Sequence, residues 1–271
     1  MEIIGAIALN TFREVLRDKI IYAFFVFACL ISLFGILLGT LSVGQDIRIV
    51  EDLGLAAIAV IGGIIAVFSG ANLVFKELER RTIYLIFSKP VKSWQFILGK
   101  YLGLASCLLI IILMMGGFLS ALVGFVDPAL PLAHLPWIAL SLSLVYLELL
   151  FIIASASFFS TFSTPIMSVL FTLCFWLVGH SCASLQELAK MSTNPLVSQF
   201  FSALYWLMPD LQSLTRVRSE LMYGRALSQA PGSFGSDGHG ELLTYLTTYI
   251  LAYVIILLVL SAIVNERREL P

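Results

Sequence analysis

Charged residues are scarce in this sequence: Asp, Glu, Lys and Arg make up 12% of its 271 residues, while hydrophobic residues make up 59%. The mean hydropathy of +0.98 lies far above that of soluble globular domains. The net charge of −1 does not indicate a nucleic-acid partner, and we expect none. The positions of the basic residues instead reflect the side of the membrane on which each segment lies. The composition therefore predicts a polytopic membrane protein.

The sequence also lacks the motifs of nucleotide, metal and disulfide sites. No G-x-x-x-x-G-K-[ST] occurs, and Gly99-Lys100 has no preceding glycine at the required spacing, so the chain cannot cradle phosphates itself. His134 and His239 have no second ligand at metal spacing, and no metal site is expected. The cysteines lie in apolar runs without a C-x-x-C pair and are predicted to be buried small hydrophobes: Cys29, Cys107, Cys174 and Cys182.

The apolar residues gather into six long runs, each close to the roughly twenty residues that a helix needs to cross a bilayer core of about 30 Å. All six must be helices, because an isolated strand leaves its backbone unsatisfied in lipid. Thr164 and Pro165 are predicted to cap and open the fifth span. The predicted spans are 20–41, 53–75, 101–126, 136–159, 165–184 and 242–264.

Residues 1–19 precede the first span and are too charged to cross the membrane. Their apolar residues fall mostly on one side of a helical wheel, which predicts a helix lying in the membrane interface. The alternative is a frayed extension of the first span. Spans one to five then occupy residues 20–184 of a single transmembrane domain that covers 1–271.

Lys and Arg are distributed unequally between the two sides of the predicted spans. The N-terminal segment has three, the 76–100 loop has six and the 265–271 tail has two, whereas the 42–52 loop has one and the 127–135 loop has none. By the positive-inside rule both termini and the 76–100 loop face the cytoplasm. The long 185–241 loop is then extracytoplasmic.

The extracytoplasmic loop contains one clear helical pattern. Asp210 is predicted to cap a helix that ends at Gly224. Its apolar residues recur at helical spacing: Leu211, Leu214, Val217 and Leu221. Residues 198–208 are apolar but too short to span, so they are expected along the surface or dipping partway into the membrane. Residues 229–240 are predicted to be a flexible linker into the last span.

The 76–100 loop holds six of the sixteen basic residues. A short apolar helix is predicted at 82–87 and must stop before Pro90, which disfavours helix at the residue preceding it. Ser93 is predicted to cap the next helix. A compact amphipathic helix with charges at its rim suits docking on another protein. The alternative is a basic loop that only fixes topology.

From Glu77 to Lys100 the string E-x-E-R-R-T-x-Y-L-x-x-S-K-P-V-x-x-x-x-F-x-x-G-K resembles the first cytoplasmic loop of ABC-2 type transporter permeases. The likeness extends to the N-terminal "elbow" helix, the six spans and the long outer loop before the last span. The FSTFSTP turn and Pro209-Asp210-Leu211 are more weakly similar to the Nos-type permeases of copper-enzyme maturation. The matching loop positions are Glu77, Arg81, Thr82, Leu85, Pro90, Val91, Gly99 and Lys100.

The resemblance implies an all-α polytopic fold whose 76–100 loop carries a coupling helix for a separate ABC ATPase subunit, present in two copies. ATP and Mg²⁺ would bind that partner, with no cofactor on this chain and no catalytic residue. The further implied partners are a second permease copy or a sister permease, the lipid bilayer and an extracytoplasmic accessory protein. The implied setting is export across the bacterial inner membrane. The implied ATPase interface is Glu77, Glu79, Arg80, Arg81, Thr82, Tyr84, Leu85, Lys89, Pro90 and Lys92.

Glu148 is the one charge near the centre of a predicted span, where a charged group costs on the order of 2.5–3.5 kcal/mol. It could line a translocation path or subunit seam together with Asn72. It could equally be a neutral acid hydrogen-bonded to another helix, through Asn72 or a serine. His180 is interpreted as a hydrogen-bonded interfacial residue. Two alternative functions stay open: an ion- or proton-coupled secondary transporter using Glu148, and a non-transporting membrane scaffold coupled to an ATPase.

Overall fold

The computed structural model describes residues 2–40, 46–79, 92–126, 131–191, 195–227 and 238–268, and this part of the chain forms ten helices and no strand. The predicted all-α class is confirmed for it. The helices are α1 (Glu2–Leu16), α2 (Lys19–Thr40), α3 (Asp46–Glu79), α4 (Ser93–Val126), α5 (Pro131–Ser160), α6 (Pro165–His180), α7 (Cys182–Met191), α8 (Pro195–Leu207), α9 (Leu211–Leu227) and α10 (Gly238–Arg268).

Two helices form the centre of the bundle. In both α3 and α5, 67% of the most apolar stretch is buried, against 22% in α10. α3 packs against α2, α4, α5 and α6, while α5 contacts α3, α4, α6, α9 and α10. Glycines on α3 permit this close packing: an ideal Cβ on Gly70 would lie 2.7 Å from the Cβ of Ala156. Hydrogen bonds then fix the register, since the hydroxyl of Ser160 donates to the carbonyl oxygen of Ala71 at 2.9 Å.

The number of helices that can cross a membrane follows from length and composition. Four described helices qualify, namely α3, α4, α5 and α10, and a fifth crossing results if α6 and α7 are counted together. α6 alone has 16 residues, a length of about 24 Å, and the axis turns by 71° into Ser184–Met191. α2 has 22 residues with a shorter apolar stretch at Phe25–Gly39.

Several predicted loops contain the first turns of long helices. α3 begins at Asp46 inside the predicted 42–52 loop, α5 begins at Pro131 inside the 127–135 loop, and α10 begins at Gly238 inside the predicted linker. Polar residues show where a helix leaves the membrane, and the helix itself can continue beyond that point. The prediction therefore assigned to loops charged residues that belong to helices. Glu51, for example, is buried at 3% exposure within α3.

The predicted helix in the long loop is confirmed as α9. The backbone N–H of Ser213 donates to the Asp210 carboxylate at 3.1 Å, which is the expected N-cap bond. All four apolar residues predicted for its inner face are buried: Leu211, Leu214, Val217 and Leu221. The predicted end at Gly224 was wrong, because the helix continues to Leu227. A glycine permits a helix to end but does not force it to.

Two smaller predictions are partly corrected. Thr164 does occupy the N-cap of α6 with Pro165 next to it, but the threonine hydroxyl makes no capping hydrogen bond. Among the cysteines Cys107 and Cys182 are buried, whereas Cys174 is exposed. An exposed cysteine on an apolar helix is consistent with contact to lipid, where a small hydrophobe gains as much as in a protein core.

Candidate functional site

Of the ten side chains predicted to contact an ATPase, the structure describes one. Lys92 is exposed immediately before α4. Glu77 and Glu79 lie at the end of α3, but their side chains fall outside the described residues. The predicted helix at 82–87 also falls outside them, as do Arg80, Arg81, Thr82, Tyr84, Leu85, Lys89 and Pro90.

The start of α4 is tied to the end of the chain. The side-chain oxygen of Gln95 accepts a hydrogen bond from the backbone N–H of Lys92 at 3.2 Å, a reciprocal cap at the helix start. Ser93, which was predicted to cap this helix, is the first residue of α4. It is a buried residue of the first turn, and its hydroxyl accepts a hydrogen bond from the Asn265 amide at 3.0 Å. The last turns of α10 are therefore bonded to the first turn of α4, which lies within residues 76–100.

The Gly-Lys pair of the loop motif has a visible packing role. α1 lies against α4, and an ideal Cβ on Gly99 would be 2.9 Å from the Cβ of Ile7. On Gly103, one turn later, it would be 2.5 Å from the carbonyl oxygen of Ala8. Lys100 is buried at 5% exposure, with its Nζ 5.0 Å from the centre of the Phe96 ring. Only a residue without a side chain lets α1 come this close.

Glu148 is buried at 2% exposure and held by the neighbouring helix α6. The indole Nε1 of Trp176 donates a hydrogen bond to Glu148 Oε1 at 2.8 Å. The imidazole Nε2 of His180 lies 2.8 Å from the same oxygen, also at hydrogen-bond distance. The two donors are four residues apart and so share one face of α6. The interpretation of His180 as hydrogen-bonded agrees with this geometry.

Asn72 does not reach Glu148. Its amide nitrogen donates to the carbonyl oxygen of Phe68, one turn earlier on its own helix, at 3.0 Å. The sequence placed both polar residues in the membrane but could not place them at the same depth or on facing surfaces. A buried Glu148 with bonds inside its own protomer matches the hydrogen-bonded alternative better than an open path.

The Trp176 indole fits against a glycine of α3. An ideal Cβ on Gly63 would lie 2.6 Å from Cη2 of Trp176, so any larger residue would displace the ring. The preceding Gly62 likewise leaves room for Leu149, where the same atom would be 2.8 Å from Cδ1. α3 therefore packs closely against both α5 and α6, through Leu149, which follows Glu148, and through Trp176, which bonds it.

A cation from α9 completes the charge distribution. Burial lowers the pKa of Arg218, while attraction to Glu148 and Asp52 raises it. Asp52 lies near the start of α3, in a segment that the sequence analysis assigned to a loop. The guanidinium of α9 thus lies in the electrostatic field of acids on α5 and α3.

Sequence reasoning found Glu148 and His180 but missed Trp176, Arg218 and Gly63. The spacing of Trp176 and His180 within one apolar span was a usable signal, since two hydrogen-bond donors on one face of a membrane helix favour a polar partner. Arg218 could also have been identified from the sequence, because it lies between two apolar residues predicted to face inward. Gly63 gave no signal, because a glycine's neighbour across the bundle is not encoded locally.

These side chains bind one another. Among the residues that the structure describes, no three His, Cys, Asp or Glu side chains converge as ligands. The Glu148 cluster, defined here as Glu148, Trp176 and His180, joins α5 to α6. Its chemistry is that of a polar crosslink between helices.

The sequence model of the family described as ABC-2 family transporter protein matches residues 5–270. This range includes nearly all of α1, the 76–100 loop, the Glu148 cluster and all of α10. Among curated proteins, none matches the chain. The likeness inferred from the loop motif and the family match therefore agree over nearly the whole length.

Proposed function

Because this chain belongs to the ABC-2 transporter family, we propose that it is the membrane-spanning permease subunit of an ABC transporter and that it exports a substrate. The observation that carries this proposal is the family match over residues 5–270 of a chain made of long apolar helices. The whole of 1–271 acts as one transmembrane domain. ATP hydrolysis belongs to a separate subunit, which binds the nucleotide and Mg²⁺.

The 76–100 loop is the proposed contact with that ATPase, through the charged residues around Arg81 and the turn at Pro90. Two packing features support a mechanical role for it. Gly99 and Gly103 let α1 pack against the first turns of α4, and Asn265 bonds α10 to Ser93. A push on the loop would therefore move α1, α4 and α10 together, because packed helices transmit displacement with little compression.

The proposed topology has six crossings, with both termini on the cytoplasmic side of a bacterial inner membrane. The distribution of Lys and Arg supports this orientation. α1 then lies at the cytoplasmic interface, and α7 to α9 lie at the outer end of the bundle. Two permeases, either two copies or one copy and a sister chain, would pair above two ATPase subunits, with an accessory protein at the outer face.

No observation favours the ion-coupled alternative. Glu148 is 2% exposed and engaged with Trp176 and His180, so it lacks the open access that an ion pathway requires. The scaffold alternative, like the present proposal, includes an ATPase partner. It differs in predicting no substrate movement.

The test is purification of the tagged chain from its native membrane in mild detergent. An ATPase subunit is expected to copurify in equal proportion, and reconstituted vesicles should show ATP-dependent substrate movement. Arg81→Glu should abolish copurification or uncouple the ATPase. Arg216→Glu makes the same charge change on an exposed position of α9 and should leave both intact. An unaltered, fully coupled ATPase in the Arg81→Glu complex would contradict the proposed contact.

A further inference from the structure

α7 and α8, named here the outer hairpin, follow the end of α6 and pack mainly against each other. The hydroxyl of Ser198 on α8 donates a hydrogen bond to the carbonyl oxygen of Ala189 on α7 at 2.8 Å. α7 also contacts α9, whereas α7 is the one close neighbour of α8 within the described residues. The side of α8 that faces away from α7 is therefore not covered by any described helix.

The uncovered side of α8 is apolar. Leu196, Phe200 and Leu207 recur at helical spacing and so lie on one face, where they are 74%, 63% and 67% exposed. Gln199 and Ser202 are also exposed, and they lie on a different face of the same helix. α8 is thus an amphipathic helix that exposes its apolar face. Contact of this face with water is unfavourable, so the face requires an apolar medium or partner.

α6 is too short to cross the membrane, and the outer hairpin begins where it ends. Its 16 residues span about 24 Å, against about 30 Å for the hydrocarbon core. An upright α6 that starts at the inner boundary therefore ends about 6 Å short of the outer one. The chain then turns by 71° into Ser184–Met191. This segment is about 12 Å long and advances about 4 Å along the α6 axis, so the hairpin begins inside the outer part of the core.

The surface of α6 indicates the medium that the hairpin enters. Leu170, Phe171 and Leu177 are exposed on this apolar helix. Large apolar side chains on the outside of a membrane bundle contact acyl chains, which are as apolar as leucine. Leu177 lies in the last turn of α6, and α7 begins at Cys182. The acyl chains around the end of α6 are therefore continuous with the medium around the start of the hairpin.

We propose that the outer hairpin is a lipid-binding element that lies in the outer leaflet, with the apolar face of α8 among the acyl chains. Interfacial helices insert their apolar face by about 5–10 Å at the boundary between headgroups and acyl chains. Gln199 and Ser202 then face the headgroups and water, as does Glu187, which is exposed on α7. The hairpin completes through lipid contacts the crossing that α6 is too short to complete. The choice of leaflet rests on the proposed orientation of the chain, whereas the insertion does not.

The test is spin-label accessibility on the full chain in lipid nanodiscs. Dissolved oxygen concentrates among acyl chains, whereas a nickel chelate stays in water, so the relative collision rates of the two report the depth of a label. Labels at Phe200→Cys and Leu207→Cys should collide more with oxygen than with the chelate. The matched label at Ser202→Cys, on the other face of α8, should collide more with the chelate.

A second pair of labels tests the depth of α7. Leu188 and Glu187 are adjacent and both exposed, so Leu188→Cys should favour oxygen and Glu187→Cys should favour the chelate. All variants carry Cys29→Ala and Cys174→Ala, which remove the cysteines that a label could reach, and the two buried cysteines are retained. A preference for the chelate at Leu188→Cys would refute the placement of α7 in the core.

Two outcomes on α8 would overturn the proposal. More collisions with the chelate than with oxygen at Phe200→Cys would place the apolar face in water. Low accessibility to both reagents would show that protein, such as a second copy of the chain, covers the face instead of lipid. If Phe200→Cys cannot be purified, Leu207→Cys gives the same decision.

The leaflet is tested in right-side-out vesicles with a thiol reagent that does not cross membranes. Ser202→Cys should react from outside, and protection there with reaction in inverted vesicles would overturn the assignment to the outer leaflet. Failure of the proposed function has a different signature, since no ATPase would then copurify with the unmodified chain.

Discussion

Replacing Gly103 by alanine tests whether α1 is fixed to α4. The added Cβ would lie 2.5 Å from the carbonyl oxygen of Ala8 and 2.8 Å from the Cβ of Thr11. Favourable contacts between heavy atoms lie at about 3.5–4.0 Å, so α1 must move by on the order of 1 Å. Because the nearest atom belongs to the backbone, no side-chain rotation can relieve the clash.

The magnitude follows from two opposing terms. Overpacking of a close contact costs about 1–3 kcal/mol, while alanine is better than glycine inside a helix by about 0.8–1 kcal/mol. Gly117 lies on the same helix and has nothing within 4 Å of its ideal Cβ. Gly117→Ala therefore gains the helix preference of alanine without the cost of overpacking. The difference between the two variants therefore isolates the packing cost, and we expect roughly 1–3 kcal/mol.

The assay is denaturant unfolding of both variants in the same detergent, with exchange of residues 2–16 as a local readout. Gly103→Ala should unfold at lower denaturant than Gly117→Ala, and α1 should exchange faster than in the unmodified chain. α5 should keep its protection. Unfolding midpoints that coincide for the two variants would show that α1 does not lie against α4, and the mechanical link drawn from the loop to α1 would fail with it.

Two further predictions concern single hydrogen bonds. Asp210→Ala removes the acceptor of the Ser213 amide and should destabilise the start of α9 by about 0.5–2 kcal/mol; Asp210→Asn is the control that keeps an acceptor, and equal exchange in both would count against the cap. Ser160→Ala removes the bond to Ala71 and should lower stability in detergent by about 0.5–1.5 kcal/mol, whereas Ser106→Ala, on an exposed position, should be close to neutral.

The elements that the sequence predicted well are those with local signals. α9 follows from the spacing of Leu211 and Leu214 and from a capping residue at Asp210, all within a few turns of chain. The apolar runs predicted α3, α4, α5 and α10 for the same reason. Helix ends were predicted less well, since α3 and α5 continue past the apolar stretch and the end of hydrophobicity was taken as the end of the helix.

The contacts in the candidate site depend on how the helices are placed relative to one another, and the sequence does not state this placement. Glu148 was identified from its cost in the membrane, but Asn72 or a serine was offered as its partner. The actual partners, Trp176 and His180, depend on the rotation of α6 about its axis and on its depth. Both are set by packing against Gly63, whose importance appears only when the neighbouring helix is in place.

The bond between Ser93 and Asn265 has a consequence for biosynthesis. Ser93 and Asn265 are 172 residues apart in the chain. The first turn of α4 therefore cannot acquire its final partner until those residues have been translated. We expect a polypeptide stalled before α10 to enter the membrane yet recruit its ATPase poorly.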